Sequence, residues 1–338
     1  MGVLAEGSTG IADLSRKGEP PLVTIGVPVY NGERFLADAL ESLIGQTYSN
    51  LEILIADNAS TDRTPEISRR VAASDSRVRH LRSGENRGAA WNFNRLVGEA
   101  RGEFFRWAAA DDLVRPPLVE RSVHVLTSSP DVVLVYPKTQ FIDEEGHTIR
   151  DHEDNLHLDQ ERPSDRYRAF ARRIGYCNAA YGLVRTSSLR RTGLLGAFPG
   201  SDIVLLGELA LHGKFHELPD RLFLRRFHQE AASAKTDAEL DAHYRARADG
   251  SPAQRAPSEQ SSFRLLTWRK LMANLAAVAR TPVSVREKAR IWAFLLRRAV
   301  MSRHEMAREV LEAVRYRPGR RRADTLVRSG SESPEPGP

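Results

Sequence analysis

Two uninterrupted apolar runs near the start of the chain constrain its fold more than any other feature. The first is LVTIGVPVY, from Leu22 to Tyr30, and the second is LEILIAD, from Leu51 to Asp57. Apolar runs without alternation are typical of strands that are buried on both faces of a sheet. Between them, apolar residues recur at helical spacing. This order predicts a parallel sheet covered by helices, with its ligand site at the carboxyl ends of the strands.

The alternation of strands and helices continues to about Val135 and is looser afterwards. We predict further strands at 78–81, 103–108 and 132–135, and helices that begin at Thr64 and span 88–100 and 116–126. Beyond Tyr136 we predict a hairpin over 138–150 that turns near Gly146, an acidic surface loop over 151–161, helical segments over 183–195 and 204–212, and a strand over 222–227.

Composition excludes several classes of protein. Cys177 is the one cysteine, which rules out a disulfide framework and a zinc cluster of several thiolates, and we expect it to be a small buried or half-buried side chain. The formal charge is +6, but residues 263–322 hold sixteen Lys or Arg against four Asp or Glu, a net charge of +12. The rest of the chain therefore sums to −6, and we expect no nucleic-acid partner.

The sequence predicts a catalytic domain followed by a basic helical extension. We expect a disordered N-terminus over 1–20, an α/β domain over 21–235, a linker over 236–262, helices over 263–318 and a disordered tail over 319–338. Two capping boxes, Ser284 with Glu287 and Ser302 with Glu305, open two of these helices. No signal peptide or membrane span is recognisable, so the expected location is the cytoplasm.

The first strand excludes two common nucleotide-binding classes. It ends in Pro28-Val29-Tyr30-Asn31-Gly32 rather than in the G-x-G-x-x-G turn of dinucleotide-binding domains, and no Walker A motif occurs in the chain. The stretch VTIGVPVYNGERFLADALESLIGQTYSNLEILIADNASTD instead resembles the opening of family 2 glycosyltransferases. The resemblance continues through Glu85-Asn86-Arg87-Gly88, Gly102-Glu103-Phe104 and Asp111-Asp112-Leu113. It implies a GT-A fold of the nucleotide-diphospho-sugar transferase superfamily, which is a Rossmann-like, mostly parallel sheet flanked by helices.

The resemblance assigns a set of residues to the donor nucleotide sugar. Asp57 matches the position that reads the pyrimidine, and a carboxylate can accept a hydrogen bond from a base N–H. The alternative is an Asx turn that caps Ser60 and Thr61, and both roles are compatible. The further donor residues implied are Pro28, Tyr30, Asn86, Gly88, Asn92 and Arg226.

Asp111 and Asp112 match the metal-binding cluster of the family, which holds Mn²⁺ or Mg²⁺ against the donor diphosphate. A dication offsets the negative charge of the departing nucleoside diphosphate. The alternative is an N-cap pair ahead of Pro116. The usual first aspartate is replaced by Ala109, which leaves one carboxylate fewer. The resemblance adds His228, of the R-x-H element Arg226-Phe227-His228, as a third ligand.

Asp202 is the candidate general base, because the family places an aspartate before a helix on the acceptor side, where it deprotonates the acceptor hydroxyl. Ser201 replaces the more usual glutamate. Without the resemblance, Ser-Asp before an apolar run would be an ordinary N-cap. A single base suits single displacement, so the resemblance implies inversion at the anomeric carbon.

These observations predict transfer of a sugar from a nucleotide-diphosphate sugar, UDP first among the donors, to a hydroxyl of a saccharide or lipid-linked saccharide. Two alternatives stay open: sugar-1-phosphate nucleotidylyl transfer, and a non-catalytic relative that binds nucleotide sugar or a partner. The basic extension has three interpretations: a helical cap with a solvated arginine face, a peripheral contact of 263–322 with the anionic inner face of a membrane, or a protein-binding surface.

Overall fold

A computed structural model describes residues 19–229 and 265–315 of the chain. The predicted linker and the predicted disordered tail lie outside the described residues, as does almost all of the segment 1–20. The described residues form one mixed sheet with helices on both faces and three further helices after residue 265. The predicted α/β class with a helical C-terminal extension is confirmed.

Nine strands form the sheet of the described region. They are β1 Val23–Val29, β2 Leu51–Asp57, β3 Val78–Arg82, β4 Phe104–Trp107, β5 Leu113–Val114, β6 Val132–Ile142, β7 Thr148–His152, β8 Leu183–Arg185 and β9 Lys214–Arg226. Their order is β3-β2-β1-β4-β8-β6-β9-β5, and β7 pairs with β6 outside this path.

The predicted parallel arrangement holds for the first four strands, where β1 pairs in parallel with both β2 and β4, and β2 with β3. The other half is mixed, since β8 and β5 run antiparallel to their neighbours while β6 and β9 are parallel. Every residue of β1 and β2 is buried, which explains their uninterrupted apolar sequences.

Ten α-helices accompany the sheet in the described region, and a short 3₁₀ helix spans Asn178–Tyr181. They are α1 Leu36–Ile44, α2 Thr64–Ser74, α3 Ala89–Glu99, α4 Leu118–Ser128, α5 Pro163–Arg173, α6 Thr186–Leu189, α7 Ser201–His212, α8 Leu266–Arg280, α9 Val285–Met301 and α10 Arg303–Arg315. Leu36 and Leu40 of α1 pack on one face of the sheet, whereas Leu96 of α3 and Leu205 of α7 pack on the other.

Two predictions for the middle of the chain were wrong in part. Residues 183–185 form a strand rather than the start of a helix, because Val184 pairs with both Phe105 of β4 and Leu134 of β6 and completes the sheet between them. The acidic segment 151–161 is not wholly a surface loop, because Leu156 and Leu158 are fully buried in the hydrophobic cluster that contains Leu96 and Leu205. Polar and apolar residues alternate around these two leucines, so that the leucines pack inward while their polar neighbours face the solvent.

The C-terminal helices α8 to α10, called the extension, pack against residues 19–229, called the catalytic body. Tyr167 of α5, Leu211 of α7, Val278 of α8, and Ile291 and Leu295 of α9 form one buried cluster. No helix in the two described ranges is long and apolar enough to cross a membrane.

Half of the predicted capping box at the start of α9 forms. Ser284 Oγ accepts the backbone N–H of Glu287 at 3.3 Å. The Glu287 carboxylate turns away from Ser284 and accepts the backbone N–H of Ser164 at 2.8 Å, in the first turn of α5. An acidic residue of the extension therefore caps a helix of the catalytic body.

Candidate active site

The loops after β1 and β2 are joined by hydrogen bonds at the carboxyl edge of the sheet. The backbone N–H of Asn31 donates to Ser60 Oγ at 2.9 Å, and Asn31 Oδ1 accepts the Thr61 N–H at 2.9 Å. The Gly32 N–H donates to Thr64 Oγ1 at 2.8 Å. Asn31 has a φ of 52°, a left-handed conformation that asparagine adopts more readily than most residues. The polar residues that interrupt the strand pattern therefore build a defined wall.

Asp57 lies at the end of β2 and is fully buried. Its Oδ1 accepts the Ser60 N–H at 2.8 Å, which is the Asx-type turn considered above. Its Oδ2 lies 3.3 Å from Arg82 Nη1 and 3.7 Å from His80 Nε2. Burial alone would raise the pKa of Asp57, but the nearby His80 ring, the hydrogen bond from Ser60 and the charge of Arg82 hold this pKa below its ordinary value. Asp57 is an ionised acceptor, with the 43% exposed side chain of Arg82 beside it.

Asn58 connects β2 to the segment before α3. Its Nδ2 donates to Asn86 Oδ1 at 2.8 Å, and its Oδ1 accepts the Arg87 N–H at 3.0 Å. Asn86 Oδ1 also accepts the N–H of Gly88, whose φ is 82°. Asn92 is buried and donates to the Ala56 carbonyl at 2.7 Å. The structure therefore places Asn86, Gly88 and Asn92 in a scaffold beside Asp57.

Pro28 and Tyr30 lie at the carboxyl end of β1, next to the loop that Asn31 begins. Pro28 is buried in β1 opposite Ala56 of β2. Tyr30 directly follows the strand and keeps 46% of its surface exposed. The exposed ring of Tyr30 is available for contact with a ligand, whereas Pro28 is buried in the sheet.

The pairing of β5 with β9 brings the end of the α/β domain back to the acidic pair. Leu113 lies opposite Leu224, so that Arg226 and His228 return beside Asp111 and Asp112. The Arg226 N–H donates to Asp112 Oδ1 at 2.8 Å and its Nε donates to the Asp111 carbonyl at 3.0 Å. His228 Nε2 lies 2.9 Å from Asp111 Oδ2. Four predicted residues from two distant parts of the sequence thus converge.

The buried guanidinium of Arg226 organises this cluster. It is 4% exposed and lies 4.7 Å from the centre of the Phe35 ring, which also packs against His228 at a centroid distance of 4.8 Å. Its Nη1 donates to the Asp143 and Glu144 carbonyls of the β6–β7 turn. Arg226 therefore has its main contacts inside the protein, which differs from the diphosphate contact that the resemblance implies.

The negative charge of the acidic pair is only partly compensated by its neighbours. Burial raises the pKa of Asp112 well above its ordinary range and the neighbouring Asp111 carboxylate raises it further, while Arg226 and Arg225 offset part of the effect. A bound dication would remove this penalty. Carboxylates suit Mg²⁺ and Mn²⁺, and an added imidazole favours a transition metal. By residue type, Asp111, Asp112 and His228 suit a divalent ion even with Ala109 in place of an aspartate, but in the described residues these three do not bring one ligand atom each within 4.8 Å of one another.

A second acidic group lies at the β6–β7 turn. Asp143, Glu145 and His147 bring one ligand atom each within 4.8 Å of one another. Asp143 Oδ1 accepts the N–H groups of Glu145 and His147, so the turn itself accounts for its position. The sequence-based prediction did not include this group, and it lies on an exposed hairpin.

Asp202 lies in the first turn of α7, after Gly200 with a φ of 80°. It is half-buried, and its Oδ1 accepts its neighbour's N–H, from Ile203, at 2.9 Å. The Cys177 thiol donates to the Gly175 carbonyl at 3.8 Å, and burial together with the nearby Asp202 carboxylate raises the pKa of the thiol. Cys177 is half-buried, as expected from the sequence.

A continuous path of contacts connects Asp202 to the acidic pair. Cys177 precedes Asn178, whose Oδ1 accepts from Arg225 Nη1 at 2.7 Å. Arg225 precedes Arg226, which holds both aspartates. Sequence reasoning missed Asn58 and Arg225, although each adjoins a residue that it selected. It selected strand-end polar residues one at a time and had no signal for the side chains that join them.

Comparisons with known proteins agree with this architecture. The model of the family described as glycosyl transferase family 2 matches residues 24–193, half of the chain. An uncharacterized glycosyltransferase of Rickettsia typhi, RT0329, is 32% identical over 130 residues, which cover 38% of this chain and 40% of that protein. The putative glycosyltransferase EpsH of Bacillus subtilis is 32% identical over 149 residues, covering 44% and 42%. The chain thus spans about two fifths of these curated relatives.

Solved structures share the fold at low sequence identity. TarS of S. aureus, residues 1–349 in complex with UDP-GlcNAc, matches with a TM-score of 0.59 and 14% identity over 82% of this chain and 72% of that chain. The complex of the same fragment with UDP gives a TM-score of 0.57 over 82% and 71%. Because the family model matches half of its length, the chain belongs to glycosyl transferase family 2.

Proposed function

We propose that this protein transfers a sugar from a nucleotide-diphosphate sugar to a hydroxyl group of a saccharide or lipid-linked saccharide, with inversion at the anomeric carbon. The observation that carries the proposal is the contact of Arg226 and His228 with Asp111 and Asp112 at the carboxyl edge of the sheet. In open α/β sheets this edge is where ligands bind. UDP is the first donor to test, since TarS was solved with UDP and UDP-GlcNAc.

The acidic pair and the loops after β1 and β2, called the donor wall, have separate roles in donor binding. Asp111, Asp112 and His228 would hold a divalent ion, which would supply Lewis-acid charge to the diphosphate leaving group. Tyr30 packs against the nucleoside, and Asp57 accepts a base N–H after the exposed Arg82 side chain moves aside. Arg226 keeps Asp112 and Asp111 in place through the bonds described above.

Asp202 removes the proton from the acceptor hydroxyl. The nearby Cys177 thiol stays neutral because burial and this carboxylate raise its pKa. The attacking oxygen forms its bond to the anomeric carbon as the nucleoside diphosphate leaves from the opposite face.

Asp202→Asn is expected to lower turnover by about 10²-fold or more, since a positioned base contributes that much. Donor binding stays unchanged, because the donor wall is built by other residues. Sugar transfer and thermal shift with UDP-sugar would be measured on the same preparations, with Asp159→Asn on the exposed segment before α5 as the matched control. Full turnover of Asp202→Asn would contradict its role as the base.

A donor panel tests the rest of the proposal. UDP-, dTDP-, GDP- and CMP-sugars are each added with Mn²⁺ or with EDTA, and the melting temperature is recorded. We expect stabilisation by one nucleotide in the presence of Mn²⁺. Stabilisation that survives EDTA would remove the metal from the proposal, and nucleotide binding without turnover of any acceptor would favour the non-catalytic alternative.

The cellular location also belongs to this proposal. We place the protein in the cytoplasm, with its basic extension in peripheral contact with the inner face of the membrane, where lipid-linked acceptors are presented.

A further inference from the structure

A cavity lies in the seam between the catalytic body and the C-terminal helices. Its volume is about 290 Å³, and its walls include Phe170 of α5, Leu271 of α8, and Phe294 and Leu295 of α9. Two polar side chains of the lining are satisfied within the protein. Tyr167 Oη donates to Asn274 Oδ1 at 2.7 Å, and Asn274 Nδ2 donates to a backbone carbonyl. The cavity therefore offers mainly apolar surface to a ligand.

A basic basin of about 590 Å³ adjoins this cavity and shares Phe294 and Arg298 with it. Four arginines line the basin: Arg168 and Arg172 of α5, and Arg297 and Arg298 of α9. Within the described ranges, Arg172 and Arg297 form no ion pair, and both are exposed. Arg168 pairs loosely with Asp165 at 3.6 Å. Four cations with one weakly held carboxylate make a site for an anion.

Three exposed apolar residues of α9 lie at one edge of the basin and are called its rim. Leu296, Val300 and Met301 of α9 are 54%, 61% and 74% exposed. Met301 lines the basin one helical turn from Arg297, and Leu296 and Val300, also one turn apart, lie on the neighbouring side of the helix. Arginine beside exposed aliphatic residues is typical of a helix that lies on an anionic lipid surface.

We propose that this seam binds one anionic membrane phospholipid, with its phosphate among Arg168, Arg172, Arg297 and Arg298 and one acyl chain in the apolar cavity. The exposed rim faces the bilayer from which the lipid is drawn. Binding of this lipid attaches the protein to the membrane and is independent of donor and metal. It can therefore hold or fail whether or not the proposed sugar transfer is correct.

The test measures lipid binding by the full chain without nucleotide. Co-sedimentation is recorded with phosphatidylglycerol vesicles and with phosphatidylcholine vesicles. Calorimetry uses dihexanoyl phosphatidylglycerol below its micellar concentration and, as the chainless probe, glycerol phosphate. We expect the protein to bind phosphatidylglycerol vesicles at least about tenfold more tightly than phosphatidylcholine vesicles. We also expect it to bind the short-chain lipid at least about tenfold more tightly than glycerol phosphate.

Two variants assign the binding to the seam. Arg172→Glu with Arg297→Glu is expected to weaken both kinds of lipid binding at least about tenfold. Arg69→Glu with Arg70→Glu, two exposed arginines of α2, is the matched control and should change it by less than about twofold. Ala299→Phe, which fills the cavity, should weaken short-chain lipid binding and leave glycerol phosphate binding unchanged.

Three results would overturn the proposal. Equal binding of the two vesicle types would remove the anion site, and equal losses in the two charge variants would reduce it to net charge. Glycerol phosphate bound as tightly as the short-chain lipid would leave an anion site without a lipid. Melting temperatures of all variants are recorded, so that a loss of binding is credited only to folded protein.

Discussion

Asp57 uses its two carboxylate oxygens for different purposes. Oδ1 closes the turn at Ser60, whereas Oδ2 faces Arg82 and His80 without a well-aligned hydrogen bond in the described region. The turn uses Oδ1 alone, so the proposed donor role, which the sequence analysis considered compatible with the turn, would use Oδ2. A residue can close a turn with one oxygen and keep the other for a ligand.

The charge of Asp57 makes stability depend on pH. Because its pKa is lower in the folded protein, the carboxylate stabilises the folded state above the unfolded pKa of about 3.9. This contribution is lost as the pH falls through the lower folded value. We expect the free energy of unfolding of the wild type to fall more steeply than that of Asp57→Asn between about pH 5 and pH 3.

Urea unfolding at several pH values measures this difference, with Asp159→Asn as the exposed control. The control should follow the wild type, since Asp159 is exposed and its carboxylate accepts a hydrogen bond from its neighbour Gln160. Parallel curves for wild type and Asp57→Asn would show that the folded environment does not favour the charged form.

At the scale of elements, the strands that are buried on both faces were predictable and the pieces between them were less so. β1 and β2 follow from apolar runs, and the polar cluster after each marks the carboxyl edge. β8 was not predictable, because its three residues form a strand only by filling the gap between β4 and β6. The position of His228 beside Asp111 depends on the register of β5 against β9, which no local pattern encodes.

The helix α5 depends on a residue from another element for its N-terminal cap. Arg162 precedes it and provides no side-chain cap, while Glu287 of α9 accepts the Ser164 N–H. Glu287→Ala should therefore lower the free energy of unfolding by about 1 kcal/mol, the usual cost of a lost cap. Glu305→Ala, at the exposed start of α10, is the matched control and should cost less than about 0.5 kcal/mol.

Equilibrium urea unfolding gives both values. Equal costs for the two variants would mean that Glu287 acts only as a first-turn acidic residue of its own helix, as the capping-box pattern predicts. Glu287→Gln keeps the acceptor oxygen and should recover most of the loss, since the bond to Ser164 needs an oxygen rather than a charge.

At the scale of the molecule, a buried ion pair joins the catalytic body to the extension. Glu208 of α7 is 1% exposed, and its Oε1 accepts from Arg280 Nε of α8 at 2.5 Å. Its Oε2 accepts the Gly193 N–H at 3.0 Å, in the segment that leads to α7 and Asp202. Sequence reasoning assigned the body and the extension to separate units and had no signal for this contact.

Removing Arg280 leaves the Glu208 carboxylate buried with one remaining backbone donor. We expect Arg280→Ala to lower the free energy of unfolding by about 3 kcal/mol, the lower end for a broken buried pair, because Arg280 keeps 40% of its side chain exposed. Glu208→Gln together with Arg280→Ala should cost less than Arg280→Ala alone, since no charge is then left in the interior.

The same cycle tests whether body and extension unfold as one unit. Because Glu208, Glu287 and the Tyr167 cluster all cross the seam, calorimetry of the wild type should show one transition, and Arg280→Ala should move that transition as a whole. Hydrogen exchange provides the second measurement. If amides of α8 and α9 lost protection in Arg280→Ala while those of β1 and β2 kept theirs, the extension would be a separately unfolding part, and the active site would not depend on it for stability.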